Sequence, residues 1–240
     1  MASEKFTFKQ FEVWHDKCGM KVGTDGVLLG AWTDTTDCRS MLDVGTGTGL
    51  IALIVAQRNP LLHITAIDIM PDAVEQAKEN VCRSPFSDRI EVQECNFLEM
   101  DTQKGILYDI IVSNPPFYNA DVHSPSAVRD TARHSSSLPL QDFFLQASKA
   151  LAPKGRLCLI LPFSSASDAI GYAFMNGMQL SRRTDVWGNE RSTPKRSLLE
   201  FRNADSECTS IKTKLYIRDI NNNYTEEYIK LTEDLYVRLQ

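Results

Sequence analysis

Asn114-Pro115-Pro116-Phe117 closes the apolar run Ile110-Ile111-Val112 and joins a polar acceptor to an aromatic face. The Asn114 amide oxygen accepts hydrogen bonds, and a residue ahead of proline is held extended. Pro115 and Pro116 carry no N–H, so the carbonyls around them are free to accept from an amino group. Phe117 can lie against a flat ring. Such a quartet suits the holding of a planar nitrogen, an adenine amino group or an amide, against an electrophile.

A second constellation is Asp43-Val44-Gly45-Thr46-Gly47-Thr48-Gly49. Glycines at alternate positions let the backbone turn sharply and let a ligand approach closely. The spacing is G-x-G-x-G, not the G-x-G-x-x-G of a dinucleotide fold. An acid two residues ahead of the first glycine suits the cationic amino acid end of S-adenosylmethionine better than a pyrophosphate. Asp68 follows nineteen residues after Gly49 and is placed to take both ribose hydroxyls, a feature shared with nicotinamide binders. Asn96 offers both a donor and an acceptor. It is expected either to read the adenine edge of the cofactor or to serve as a turn residue.

These residues need elements to position them. Phe6 to Trp14 alternates aromatic and polar residues, as in a short strand or hairpin. Thr24 is expected to cap a short helix running to Trp32. Strands are expected at Ser40–Val44, His63–Asp68, Ile90–Gln93, Asp109–Ser113 and Arg156–Leu161. Helices are expected at Leu50–Arg58, from Pro71 through Val81, and at Pro139–Leu151. This alternation predicts a parallel sheet covered on both faces. A helix at Ser165–Asn176 precedes two strands, Met178–Val186 and Ser197–Phe201. Their connection holds no evident helix, so they are expected to pair antiparallel. A strand at Thr213–Ile217, a turn at Asn221-Asn222-Asn223 and a helix from Tyr224 complete the chain. The division is an N-terminal extension over 1–38, contributing to the cofactor site, and one domain over 39–240.

Composition narrows the class. The chain has 240 residues, 42% hydrophobic and 24% charged, enough for one large core without staples. Neither a signal-peptide pattern nor a membrane-length apolar run is present. The six cysteines (18, 38, 82, 95, 158 and 208) form no C-x-x-C pair, and the four histidines are scattered. They are read as reduced, largely buried thiols of a cytoplasmic protein with no metal site. His134 is read as a solvated side chain. The net charge of −5 argues against bulk electrostatic binding of nucleic acid and requires a local patch for any such contact.

With these motifs in place, the chain resembles the class I S-adenosylmethionine-dependent methyltransferases from about Arg39 to Phe201. The branch is the amino-methylating one that carries Asn-Pro-Pro-aromatic. Within that branch it is most similar to the bacterial tRNA1(Val) (adenine(37)-N6)-methyltransferases. That closer likeness is carried by Phe8-Lys9-Gln10-Phe11, the run Lys21 to Trp32, Ala132-Arg133-His134, and Pro194-Lys195-Arg196-Ser197-Leu198-Leu199-Glu200-Phe201. The resemblance implies a Rossmann-like α/β sheet, mostly parallel with an antiparallel last strand, plus a short N-terminal extension. It implies that Asp43, Gly45, Gly47, Asp68, Asn96 and Asn114 bind S-adenosylmethionine, and that Asn114, Pro115 and Phe117 hold the target adenine. Thr24 and Asp25 would reach the methionine end of the cofactor, unless Thr24 only caps its helix. Asn96 stands where related enzymes frequently have an acid.

The implied reaction is methyl transfer to an adenine N6 in tRNA. Arg182, Arg183, Arg191, Lys195 and Arg196, against the acids Asp185 and Glu190, are candidate phosphate contacts, as are Arg129 and Arg133. Lys195 and Arg196 are expected to act on RNA without affecting the cofactor. The acidic C-terminal helix is expected to face away from RNA. An N5-glutamine methyltransferase acting on a translation protein would use the same polar cup, and a non-catalytic RNA-binding protein is the alternative of a different class.

Overall fold

The computed structural model describes residues 4–17, 22–102, 105–115, 138–205 and 209–238. Pro116, Phe117, Arg129, Arg133 and His134 lie outside the described residues, as do Cys18 and Cys208. In chain order the elements begin with β1 (Lys5–Thr7), β2 (Glu12–Trp14), α1 (Thr24–Trp32), β3 (Ser40–Val44), α2 (Leu50–Arg58), β4 (His63–Asp68) and α3 (Pro71–Arg83). They continue with β5 (Ile90–Glu94), β6 (Tyr108–Ser113), α4 (Leu140–Ala150), β7 (Leu151–Pro162), α5 (Ala166–Met175), β8 (Met178–Trp187), β9 (Pro194–Asn203), β10 (Ile211–Tyr216) and α6 (Glu226–Thr232).

Among the described residues the main sheet has eight strands in the order β10-β8-β9-β7-β6-β3-β4-β5. β9 lies between β7 and β8 and runs antiparallel to both, while all other pairings are parallel. One strand therefore opposes the rest, as expected from the helix-free connection after Trp187. Central strands are mostly apolar because both faces are covered: Met41, Leu42, Ile110, Ile111 and Val112 are fully buried. The chain enters β3 at the middle of the sheet, then builds outward through β4 and β5 before returning to β6 on the other side. The carboxyl ends of β3 and β6 thus border the crevice where such sheets bind ligands.

Two cores result. On one face α1, α2, α3 and α6 pack with the N-terminal Phe8, Phe11 and Val13. On the other, α4 and α5 contribute Phe143, Phe144, Ala147, Ala166, Ala169 and Ala173. Helix α2 has no polar face, and Leu50 through Ala56 are all buried, so it must be covered on its outer side as well. Helix α1 supplies that cover. Its Gly26 and Gly30 let the two helices approach closely: a Cβ on Gly30 would sit 2.8 Å from Ile54 Cγ2, and one on Gly26 2.9 Å from Leu50 Cδ2.

Several local expectations are corrected. Gly23, not Thr24, is the N-cap residue of α1; Thr24 is already helical and makes no capping bond. Strand β7 begins at Leu151 immediately after α4, five residues before the apolar run from Arg156 that the periodicity reveals. Among the described cysteines only Cys38 and Cys158 are buried; Cys95 is half-buried and Cys82 exposed.

The N-terminal ribbon is fixed to the rest of the fold by one buried amide. Asn80 on α3 accepts from the Trp14 N–H at 2.9 Å and donates to the Trp14 carbonyl at 2.9 Å and the Thr48 carbonyl at 2.9 Å. It is fully buried. One side chain thereby joins α3, β2 and the glycine loop. Gln76, one turn earlier, accepts from the Lys17 N–H at 2.8 Å and extends the seam. Asn80→Ala should strand three backbone groups and lower the unfolding free energy by about 2–3 kcal/mol. A urea titration showing an unchanged midpoint would remove this joint from the account of the fold.

Candidate active site

The site is built on the turn leaving β3. Gly45, Gly47 and Gly49 all have positive φ (70°, 58° and 80°), which other residues adopt only with strain. Gly45 and Thr46 both donate their amides to the Ile67 carbonyl at 2.9 Å, and Gly49 donates to the Thr46 carbonyl at 2.9 Å. Asp68, at the end of β4, accepts from the Gly47 amide through Oδ2 at 2.9 Å and from the Met70 amide through Oδ1 at 3.0 Å. Each Asp68 oxygen has one backbone donor, and a carboxylate accommodates further donors. Asp68 is half-buried and does not line the cleft described next.

A cleft of about 310 Å³ opens beside this turn, lined by Gly23–Gly26, Gly45–Thr48, Leu50, Ile51 and Asn114. Its volume lies at the lower end of the range for small-molecule sites. The start of α1 and the glycine loop form opposite walls, and Asn114, just beyond β6, closes it. The structure thus brings together Thr24, Asp25, Gly45, Gly47 and Asn114. Space beside Gly45 is open, so a ligand can meet the backbone there. The Ser113 hydroxyl donates to the Val44 carbonyl at 2.7 Å, clamping β6 to β3 directly beneath Asn114. Asn114 is half-buried and Pro115 buried.

Other candidates are placed differently. Asp43 is fully buried and does not reach the cleft. Its Oδ2 accepts from the Thr46 hydroxyl at 2.7 Å, so it acts on a wall residue, not as a direct partner of a ligand. Among the described residues its Oδ1 has no hydrogen-bond partner of ordinary geometry. Asn96 caps the 3-10 turn Phe97–Glu99, accepting from the Leu98 amide at 3.1 Å, and does not line the cleft. The turn reading open at the sequence level is the one its side chain adopts.

The cationic candidates divide between the sheet faces. Arg182 stacks 3.6 Å from the centroid of Trp32 and donates to the Glu200 carboxylate and the Trp32 carbonyl, which fixes it inside the fold. Arg183 pairs with Asp185 at 2.7 Å on the other face. Arg191 and Lys195 are exposed. Arg196 donates to Asp25 Oδ2 at 2.7 Å, which ties it to the wall of the cleft. Reading the sequence missed this pair because 171 positions separate its members. It also missed the cleft residues Gly23, Gly26, Thr46, Thr48, Leu50 and Ile51, and Asn80 behind them. The buried-helix glycines and the threonines alternating with loop glycines were the available signals.

The cleft has the donor set for a small ligand with polar ends. Backbone groups of the glycine loop, the Thr24, Thr46 and Thr48 side chains and the Asp25 carboxylate surround it. Among the described residues no cluster of metal-ligating side chains occurs, and no helix is long and apolar enough to cross a membrane.

Comparison with known proteins gives a consistent relationship. Residues 20–184 match the family model described as methyltransferase small domain. A Parabacteroides distasonis protein named tRNA1(Val) (adenine(37)-N6)-methyltransferase is 43% identical over 239 residues, spanning 100% of both chains. Proteins of the same name from Porphyromonas gingivalis W83 and Escherichia coli O1:K1 are 42% and 40% identical, covering 98% and 97% of this chain and 96% and 94% of theirs. Among solved structures, a predicted O-methyltransferase from Agrobacterium tumefaciens superposes with a TM-score of 0.68 at 19% identity, over 88% of this chain and 96% of that one. A ribosomal protein L11 methylase from Lactobacillus delbrueckii reaches a TM-score of 0.51 at 18% identity, covering 74% and 76%. At those identities the structural likeness bears on the fold alone.

Burial pushes the Asp43 carboxyl up to about 7, with the nearby Asp68 charge acting the same way and the Thr46 hydroxyl opposing. The folded value lies above the unfolded one of about 3.9, so the folded chain binds more protons between about pH 4 and 7. The stability this group contributes is complete below about pH 4 and is lost as pH rises through about 7. Asp43→Asn should therefore show a shallower fall in melting temperature across that window than the parent protein. Parallel melting-temperature profiles would mean that Asp43 ionises normally in the fold.

Proposed function

This chain belongs to the methyltransferase small domain family, and from that membership we propose that it transfers a methyl group from S-adenosylmethionine to the exocyclic N6 of an adenine in tRNA. The target proposed is adenine 37 of tRNA1(Val), the specificity in the names of relatives that match along the whole chain. A cytoplasmic location is part of this proposal, supported by the tRNA substrate in the relatives' names. The observation that carries the reading is the position of Asn114: it lines the same cleft as Gly45 and Gly47, at the end of the neighbouring strand.

S-adenosylmethionine, when bound, supplies an electrophilic sulfonium methyl. The glycine loop, Thr24 and Asp25 would hold it, Asp25 suiting the ammonium of its amino acid end. Asp68 would accept from the ribose hydroxyls while keeping the Gly47 amide in place. The lone pair of the adenine amino nitrogen is delocalised into the ring. Asn114 Oδ1 and the Pro115 carbonyl would accept its N–H protons and direct that lone pair along the line of transfer. Positioning of this kind supplies up to roughly 7–11 kcal/mol, so a strong base is not required. The proton departs to solvent once the nitrogen has become cationic. Phe117 is proposed to stack on the base, contributing about 1–3 kcal/mol toward extrusion from the anticodon loop.

Incubation with methyl-labelled S-adenosylmethionine and separated tRNA, ribosomal RNA, DNA and protein should label tRNA at adenine N6. Label in a protein glutamine would transfer the reading to the amide-methylating alternative. Asn114→Ala should bind S-adenosylmethionine nearly normally yet methylate at least about a hundredfold more slowly in single turnover, about 2.7 kcal/mol of lost transition-state stabilisation. Near-normal turnover by the folded variant would remove Asn114 from the catalytic assignment.

The Arg196–Asp25 pair yields a separate expectation. Arg196→Glu places two carboxylates together on the cleft wall and should weaken S-adenosylmethionine binding by about fivefold or more, roughly 1 kcal/mol. Calorimetry is the measurement, with Lys195→Glu as the exposed comparison that leaves cofactor affinity unchanged. Equal affinities for both variants would show that this ion pair does not shape the cleft.

A further inference from the structure

The outer edge of the sheet carries a surface that the cleft does not use. Three pairs of residues face one another across β8 and β10: Arg183 with Lys212, Asp185 with Lys214, and Trp187 with Tyr216. Alternation along a strand puts all six on one side of the sheet. Arg183 and Asp185 are paired with Leu199 and Ser197 of β9, and Leu199 belongs to the core under α4 and α5, so this is the α4/α5 side. The apolar residues of β8 joining that core, Met178 and Leu180, lie in its first three positions. Beyond them the face becomes cationic and aromatic.

Rings and cations are interleaved here. Trp187 and Tyr216 have centroids 5.3 Å apart at 37°, and Lys214 Nζ lies 5.5 Å from the Trp187 ring. The Arg183 guanidinium lies 5.3 Å from the ring of Phe163, which follows β7 directly and is 38% exposed. Lys212 and Lys214 are exposed. The acid of the group, Asp185, accepts from Arg183 at 2.7 Å and from the Ser197 hydroxyl at 2.5 Å. Arg183 is balanced by Asp185 and its side chain is only 15% exposed, so the exposed Lys212 and Lys214 give the patch its positive charge on a chain whose net charge is −5. The acidic helix α6 packs with α1 on the opposite side of the sheet.

Position gives the patch its meaning. β8 and β10 run parallel to β6, so Trp187 and Tyr216 sit at the same edge of the sheet as Asn114. β8 and β10 are the third and fourth strands out from β6, a separation of about 14–19 Å at normal strand spacing. Several nucleotides are needed to span it. A sheet face with partly exposed rings, as Trp187 and Tyr216 are here, and neighbouring cations is a platform for stacking bases and neutralising phosphates. We propose that the Arg183/Lys212/Lys214 cations and the Phe163, Trp187 and Tyr216 rings form an RNA-binding platform that holds the substrate nucleotides flanking the target base. The inference rests on the tRNA reading above and assigns its binding surface to β8 and β10 instead of to Arg182.

The test compares binding of unmodified tRNA by the parent protein, a Lys212→Glu/Lys214→Glu double variant, Trp187→Ala and Trp187→Phe, each across a salt series. The charge reversal should weaken binding at least about tenfold and flatten its salt dependence, with S-adenosylmethionine affinity intact. Trp187→Ala should weaken binding about fivefold or more while Trp187→Phe restores most of it, because a phenyl ring still stacks. Undiminished tRNA affinity in the double variant of a parent protein that labels tRNA overturns the platform and leaves the methyl-transfer reading standing. A parent protein that labels no tRNA removes both. Equal losses in Trp187→Ala and Trp187→Phe would also overturn the stacking role.

Discussion

The turn after β3 has to reverse direction within a few residues while leaving its backbone open to a ligand, and glycine alone cannot hold such a shape. Flexibility that permits positive φ at Gly45, Gly47 and Gly49 also permits many other conformations. The end of β4 removes that freedom. The Ile67 carbonyl takes two loop amides and the Asp68 carboxylate takes a third, so the turn is written onto the neighbouring strand. Asn80 holds the far side through the Thr48 carbonyl. Strand pairing, helix α3 and loop geometry are therefore one constraint, and the cleft exists because all three meet.

The N-terminal residues enter this arrangement as structure and as wall. Phe8, Phe11 and Val13 are buried in the same core as α2, and the Trp14 backbone is bonded to Asn80. From there the chain returns at Gly23 to form the start of α1, which faces the glycine loop across the cleft. The close approach of α1 and α2 at Gly26 and Gly30 fixes how far apart the two walls stand. At its open side the α1 wall is tied to β9 by the Asp25–Arg196 pair. Both members are partly exposed, at 33% and 40%, so orientation of Asp25 is a larger part of its effect than stability.

Much of this was legible from residue order. Alternating strand and helix periods gave every element of the central sheet, and the missing helix after Trp187 gave the antiparallel β9. Asn114, Gly45 and Gly47 were legible because proline and glycine carry backbone information in their types. What could not be read were properties of distant pairs. Asp43 is an acid beside a glycine loop in sequence, but β3 lies at the centre of the sheet, so its carboxyl points into the fold and bonds Thr46. Arg182 and Arg183 are neighbours in sequence, yet strand alternation sends one to Trp32 and Glu200 and the other to the opposite face. A run of basic residues on a strand is two half-runs, and only the fold says which half meets solvent.

That division bears on how an acidic protein can take a polyanion. The net charge of −5 is largely screened beyond about 8 Å at physiological salt. Inside that distance local arrangement dominates. The acids Glu226 and Glu227 lie on α6, on the α1 side of the sheet, whereas Arg183, Lys212 and Lys214 lie on the other side at the edge. The sheet separates the two signs by its own thickness and that of the helices packed on it. Tyr216 and Trp187 then give the cationic side what charge alone lacks, flat surfaces that register one base after another. On the platform proposal, RNA would be held by stacking at the outer end of the sheet edge that carries Asn114, three and four strands away from it.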